Sequence, residues 1–236
     1  MMRNPLRMAA FAALAILAFA AGAAGAPAHR MKVGVIGSGR IGGTLGELWA
    51  KAGYDVMFSS LDLEHDKRLA AKVGARAGTP AQAASFGEVL LVAVPYKALE
   101  QIGHDYESSI KGKVVLDTSN PIASRDGEMA VAAREKGTGV ASAEFLRGAR
   151  LVRAFNSVGY AKLQSEHHRD GDRIAIPLAA DDKHALEVAM RLVRDAGFEP
   201  VVVGGLSTAK TFDVGTAVFG KALTESELRG ALNLTQ

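Results

Sequence analysis

The chain has 236 residues, 48% of them hydrophobic and 6% aromatic, which suits one large α/β domain or a nucleotide-binding unit with a smaller appendage. Its net charge of +3 comes from the first thirty residues, where Arg3, Arg7 and Arg30 meet no acid; without them 25 bases face 25 acids, so nothing points to nucleic-acid binding. No cysteine is present, which excludes disulfides, thiolate catalysis and cysteine-type zinc sites.

Residues 1–28 have the layout of a secretory signal peptide. Arg3 and Arg7 come first, an Ala/Leu/Phe run follows, and Ala26-Pro27-Ala28 offers a cleavage site before His29. An uncleaved N-terminal anchor is the second reading, and it would be the sole membrane attachment. No twin-arginine pair is present, so the expected route is export of the unfolded chain to the periplasm. The alternative is translation from Met31, directly before the first strand, which would leave a cytoplasmic enzyme.

Residues 32–43 read Lys-Val-Gly-Val-Ile-Gly-Ser-Gly-Arg-Ile-Gly-Gly. An apolar, β-prone run enters Gly37-x-Gly39-x-x-Gly42 and then a helical pattern at Leu45, Leu48 and Trp49. Strand, glycine turn and helix in that order bind a dinucleotide. Gly37 makes the turn, Gly39 admits the pyrophosphate, Gly42 allows helix–strand packing, and the helix N-terminus faces the anion.

A second strand is predicted over 54–58, and its end decides between the two nicotinamide dinucleotides. Ser59 and Ser60 stand there with no acid before Asp62, which favours NADP, with NAD as the alternative. Lys67 and Arg68 follow in a helix over 62–73, closed by Gly74. A short strand at 75–77 precedes a helix opened by Thr79-Pro80. Residues 89–94 form a continuous apolar run, the sign of a central parallel strand, and end Val94-Pro95-Tyr96.

A helix over 96–104 and a strand over 113–116 deliver Asp117-Thr118-Ser119-Asn120-Pro121 to the carboxyl edge, where this polar run can line a nicotinamide pocket. Asp117 can equally serve as a turn residue. The pattern weakens over 122–138, and Gly127, Gly137 and Gly139 suggest an exposed excursion before a short helix at 141–145. A sixth strand over 150–155 ends Phe155-Asn156-Ser157, and Asn156 is the one weak catalytic candidate, orienting a carboxamide or acceptor carbonyl. His167-His168 lies in a polar loop without further ligands at usable spacing, so no metal site is expected. A strand over 174–178, a helix over 181–196, a strand over 198–203 and a C-terminal helical stretch complete the chain.

These pieces resemble the NADP-dependent oxidoreductases that reduce the deazaflavin coenzyme F420. The resemblance covers nearly all of residues 31–215 and rests on the glycine segment, Ser59-Ser60, Val92-Ala93-Val94-Pro95 and Asp117-Thr118-Ser119-Asn120-Pro121. It continues through Arg153-Ala154-Phe155-Asn156-Ser157, Ala180-Asp181-Asp182 and Gly204-Gly205-Leu206-Ser207. It implies an α/β, Rossmann-type doubly wound, mostly parallel sheet. Residues 31–156 would bind the dinucleotide, and a small α/β extension over 157–236 would complete the acceptor pocket.

By the same resemblance Ser38, Arg40 and Ile41 would meet the phosphates, Ser59 and Ser60 the adenosine ribose phosphate, and Val94 and Pro95 the nicotinamide side. One departure stands out. The family commonly has Arg after the serine, and this chain has Leu61, so a bidentate clamp on the 2′-phosphate is missing. The expected activity is hydride transfer between NADP(H) and coenzyme F420, a flavin or another small redox acceptor, with a homodimer compatible with that reading. The alternative is a non-catalytic dinucleotide-binding redox sensor or assembly domain.

Overall fold

The computed structural model describes residues 30–234. Eight strands, β1 (Lys32–Ile36), β2 (Asp55–Ser59), β3 (Arg76–Ala77), β4 (Val89–Val92), β5 (Val114–Asp117), β6 (Arg150–Arg153), β7 (Ala175–Ala179) and β8 (Glu199–Gly204), form one sheet. Its order is β3-β2-β1-β4-β5-β6-β7-β8. All neighbours are parallel except β6 and β7, which meet at the single antiparallel register Arg153↔Ala179. The C-terminal residues thus extend the same sheet. The predicted leader, residues 1–28, lies outside the described residues.

Eleven helices in chain order are α1 (Arg40–Lys51), α2 (Leu63–Val73), α3 (Pro80–Phe86), α4 (Leu99–Asp105), α5 (Glu107–Ile110), α6 (Ala123–Asp126), α7 (Glu128–Lys136), α8 (Thr138–Phe145), α9 (Tyr160–Ser165), α10 (Lys183–Asp195) and α11 (Glu225–Ala231), counted among the described residues. Tight 3-10 turns at Tyr96–Ala98 and Leu206–Thr211 lead off β4 and β8.

The apolar runs are continuous because both faces of the sheet are covered. Val89 and Leu91 join Leu116, Trp49 and Leu192 in one core, while Leu90 and Val92 join Val115, Leu99 and Ile102 in the other. Successive strand residues point to opposite faces, so one run feeds both. Trp49 ties α1 to α10 by donating from Nε1 to the Leu192 carbonyl at 2.8 Å, and its ring meets Phe155 edge-on. Thr79 and Gln82 close the reciprocal cap that Thr79-Pro80 foretold.

Residues 122–138 are corrected. They form α6, α7 and the start of α8 rather than an irregular excursion, and most of residues 122–136 are exposed as expected. Gly127 and Gly137, at φ of 63° and 95°, separate helices. Gly139 is a close-approach position, because a Cβ there would lie 2.3 Å from the Leu206 carbonyl oxygen. The helices bury small residues, Ala130 and Ala133 in α7 and Ala141 and Ser142 in α8, so hydrophobic periodicity is faint. Asp126 fixes the segment by accepting from the Ile122 amide at 2.9 Å and from Arg125.

Candidate functional site

At the glycine turn, the protein's own backbone explains two of the three motif glycines. Gly37 has φ of 95°, and a Cβ there would lie 2.5 Å from the Ala93 carbonyl oxygen. A Cβ on Gly42 would lie 2.1 Å from the Gly37 carbonyl oxygen. Gly39 differs, for it is exposed, has φ of −68°, and would have no atom within 4 Å of an added Cβ. The space beside it is open to a ligand.

Gly39 is also the N-cap of α1 and brings no side-chain acceptor, and the first turn holds Arg40 rather than an acid. A cation at a helix N-terminus opposes the macrodipole by about 0.3–1 kcal/mol, and an arriving anion reverses that penalty. Uncapped amides, an open Gly39 and Arg40 therefore fit a pyrophosphate. The Arg40 guanidinium lies 4.8 Å from the centroid of the Tyr160 ring, at the start of α9. Tyr160 carries no local signal and was missed by sequence reasoning. Ile41 packs half-buried on the core behind the turn.

At the end of β2, Ser59 is fully buried. Its Oγ donates to the Val35 carbonyl at 2.6 Å, and its carbonyl accepts from the Gly37 and Ser38 amides, each at 2.9 Å. Ser59 thus ties β2 to the glycine turn, and its hydroxyl is spent inside the protein. The hydroxyls of Ser38 and Ser60 both donate to Asp66, a fully buried acid on α2. Sequence reading found no acid at this strand end, but the fold brings one from α2. No local signal marked it, since only the fold makes Asp66 and Ala70 the buried positions of α2. Leu61 is fully exposed, Lys67 pairs with Glu64 at 2.7 Å, and Arg68 is exposed with no ion pair among the described residues.

At the ends of β4, β5 and β6, Val94 abuts the glycine turn, its Cγ1 lying 2.8 Å from where a Gly37 Cβ would stand. Pro95 is exposed, and Tyr96 beneath it is buried. Burial pushes the Tyr96 phenol up to about 12, so it stays protonated at neutral pH. Asn120 donates from Nδ2 to the Asn156 backbone carbonyl at 2.8 Å, which ties the Asn120 side chain to the backbone at the end of β6. The residue before Asn156 is Phe155, with φ of 58°, a left-handed conformation that is costly for a bulky side chain. The turn seats the Phe155 ring against Trp49 and Phe198.

Below these residues lies a buried charge network that sequence reasoning assigned no function. Arg153 is fully buried and donates to Asp117 Oδ2 at 2.7 Å, to the Ser119 carbonyl at 2.8 Å and to Asp213 Oδ1 at 3.4 Å. Asp117 also makes the turn expected of it by accepting from the Ser119 amide at 2.8 Å. Asp213 accepts from the Thr138 amide at 3.0 Å, joining α8 to the segment after the second 3-10 turn. Around this network Ser119 Oγ, Asn120 Oδ1 and Asn156 Oδ1 are buried without a partner among the described residues. Unpaired buried acceptors are costly unless something fills them. A cavity of about 890 Å³ lies elsewhere, among Arg173, Glu199, Thr224 and Arg229, and contains none of these residues.

The sequence model of the family described as NADP oxidoreductase, coenzyme F420-dependent, matches residues 32–121. The F420-dependent NADP reductase of Methanothermobacter thermautotrophicus is 32% identical over 200 residues, covering 78% of this chain and 85% of the relative. That of Methanothermobacter marburgensis is 30% identical over 218 residues, covering 85% and 96%. A hypothetical protein from Sinorhizobium meliloti shares the fold with a TM-score of 0.72 at 22% identity, covering 84% of this chain and 96% of the other.

Proposed function

The chain belongs to the family of coenzyme F420-dependent NADP oxidoreductases and is an NADP-dependent oxidoreductase; from that premise we propose that it moves hydride between NADP(H) and a deazaflavin held over the ends of β4, β5 and β6. The observation that carries the dinucleotide half is Gly39, the motif glycine whose missing side chain nothing in the protein requires. The names of the two archaeal reductases support the deazaflavin half.

The nicotinamide supplies the hydride, and the protein supplies position and a dry surface. The α1 N-terminus and Arg40 would anchor the phosphates, while Val94 and Pro95 would back the nicotinamide. Asn156 Oδ1 and Asn120 Oδ1, both buried and unpaired, can accept from a carboxamide or from a ring N–H. The extension over 157–236 steadies this floor, with Asn156 Nδ2 donating to the Phe212 carbonyl at 3.4 Å. Holding two rings at contact distance converts a bimolecular step into an effectively unimolecular one, which can supply most of the acceleration.

The test follows NADPH absorbance after addition of F420, FMN or a ferric chelate. Consumption with F420 at the highest kcat/KM is the expected result. Consumption only with FMN or ferric ion would move the acceptor assignment, and consumption with none would favour a redox sensor. Asn156→Ala should lower kcat by about three- to tenfold, the worth of one hydrogen bond, while NADPH affinity changes little. An unchanged kcat would remove Asn156 from the site.

We also infer export, from the basic, apolar and small-residue order of residues 1–28. Mass spectrometry of the native protein should find a chain starting at His29, recovered from the envelope or periplasm. A cytoplasmic chain starting at Met31 would overturn this.

A further inference from the structure

The end of β2 is where a dinucleotide's adenosine ribose lies in folds of this type, and its side chains decide between a 2′-hydroxyl and a 2′-phosphate. The hydrogen-bond polarity of that corner can be worked out from the structure. Asp66 is fully buried, and no cation pairs with it among the described residues. A carboxylate only accepts hydrogen bonds, so each hydroxyl that touches it must donate. Ser60 Oγ lies 2.9 and 3.0 Å from the two Asp66 oxygens, and Ser38 Oγ bonds the same carboxylate. A serine has one proton: Ser38 gives its proton to Asp66, and Ser60 directs its own at Asp66, with the Asp62 carbonyl a more distant acceptor at 3.2 Å, so neither has a proton left for a ligand.

Ser60 Oγ also accepts from the Asp62 amide at 3.0 Å, which occupies one lone pair and leaves one for a ligand. A ribose 2′-hydroxyl can donate to that lone pair. A 2′-phosphate offers chiefly acceptor oxygens and would meet a lone pair with the Asp66 oxygens behind it. Leu61, fully exposed next to Ser60, brings no cation to offset this. Arg68, exposed on α2, is the remaining attraction for a phosphate.

We propose that Asp66 polarises Ser60 toward a ribose hydroxyl, so that the enzyme accepts NADH alongside NADPH and discriminates only weakly between them. The proposal rests on the dinucleotide reading above. Asp66 acts through Ser60, which makes it a positioning residue for cofactor choice. Sequence reading, which saw two serines and no acid, weighted this corner toward phosphate. The acid from α2 turns Ser60 into a donor toward the protein, while Ser59 gives its proton to the Val35 carbonyl.

The experiment is calorimetric titration of the full chain with NADPH and with NADH, repeated for Asp66→Asn and Ser60→Ala, each checked by its thermal unfolding curve. The unmodified protein should bind both, with affinities within about tenfold of each other. In Asp66→Asn the amide can donate to Ser60, freeing the serine proton for the ligand. NADPH should then tighten and NADH weaken, shifting their ratio by about tenfold.

Ser60→Ala should weaken NADH by about three- to tenfold and NADPH by less than about twofold, and it keeps the test alive if Asp66→Asn fails to fold. A merely structural Asp66 would move both affinities together. An unchanged ratio in a folded Asp66→Asn protein, or a Ser60→Ala loss that falls mainly on NADPH, would overturn the proposal and leave the dinucleotide site standing. Binding of neither nucleotide by the unmodified protein would overturn both.

Discussion

Replacing Gly39 by valine is expected to weaken NADPH binding by at least about a hundredfold, near 2.7 kcal/mol, while the protein melts within a few degrees of the parent. The loss arises because the branched side chain would occupy the space in which the pyrophosphate approaches the backbone. The fold should survive because Gly39 is exposed, has an ordinary φ of −68°, and has no protein atom within 4 Å of the new Cβ. Gly42→Ala is the contrasting variant. Its Cβ would stand 2.1 Å from the Gly37 carbonyl oxygen, so it should destabilise the turn whether or not ligand is present. Calorimetric titration and thermal unfolding of both proteins check the pair. Unchanged affinity in Gly39→Val would remove the phosphate site from this turn.

Arg153→Met should cost about 3–5 kcal/mol of stability, the largest effect expected from a single residue beyond the glycine turn. The methionine fills similar volume but leaves two buried carboxylates, Asp117 and Asp213, without their shared cation. Converting those two acids to asparagine in the same chain removes the stranded charges and should recover much of the loss, because an apolar or neutral replacement of a buried ion pair is often tolerated. Urea unfolding of the parent, the single variant and the triple variant measures both steps. A cost below about 1 kcal/mol for Arg153→Met would show that the network contributes little to stability.

What the sequence determined by itself was chemistry carried by neighbouring residues. The segment from β1 through the glycine turn into α1 was legible because strand, turn and helix signals are contiguous and each has a local cause. The same holds for the buried run of β4, for the Thr79 cap and for the polar stretch after β5. The positions of Asn120 and Asn156 beyond the ends of β5 and β6 were legible too, because each follows a strand whose end the sequence marks.

Tertiary structure alone decided what those residues do to one another. Asp66 reaches Ser38 and Ser60 only once α2 folds back on the glycine turn, and Arg153 finds Asp117 and Asp213 only when β5, β6 and the C-terminal segment assemble. Residues 122–138 were misread for a related reason. Helices that bury alanines and a close-packed glycine have almost no hydrophobic periodicity, and their stability comes from neighbours that local patterning cannot register. Propensity and spacing act along the chain, whereas the polarity of a hydroxyl or the charge of a buried network depends on residues far away in sequence.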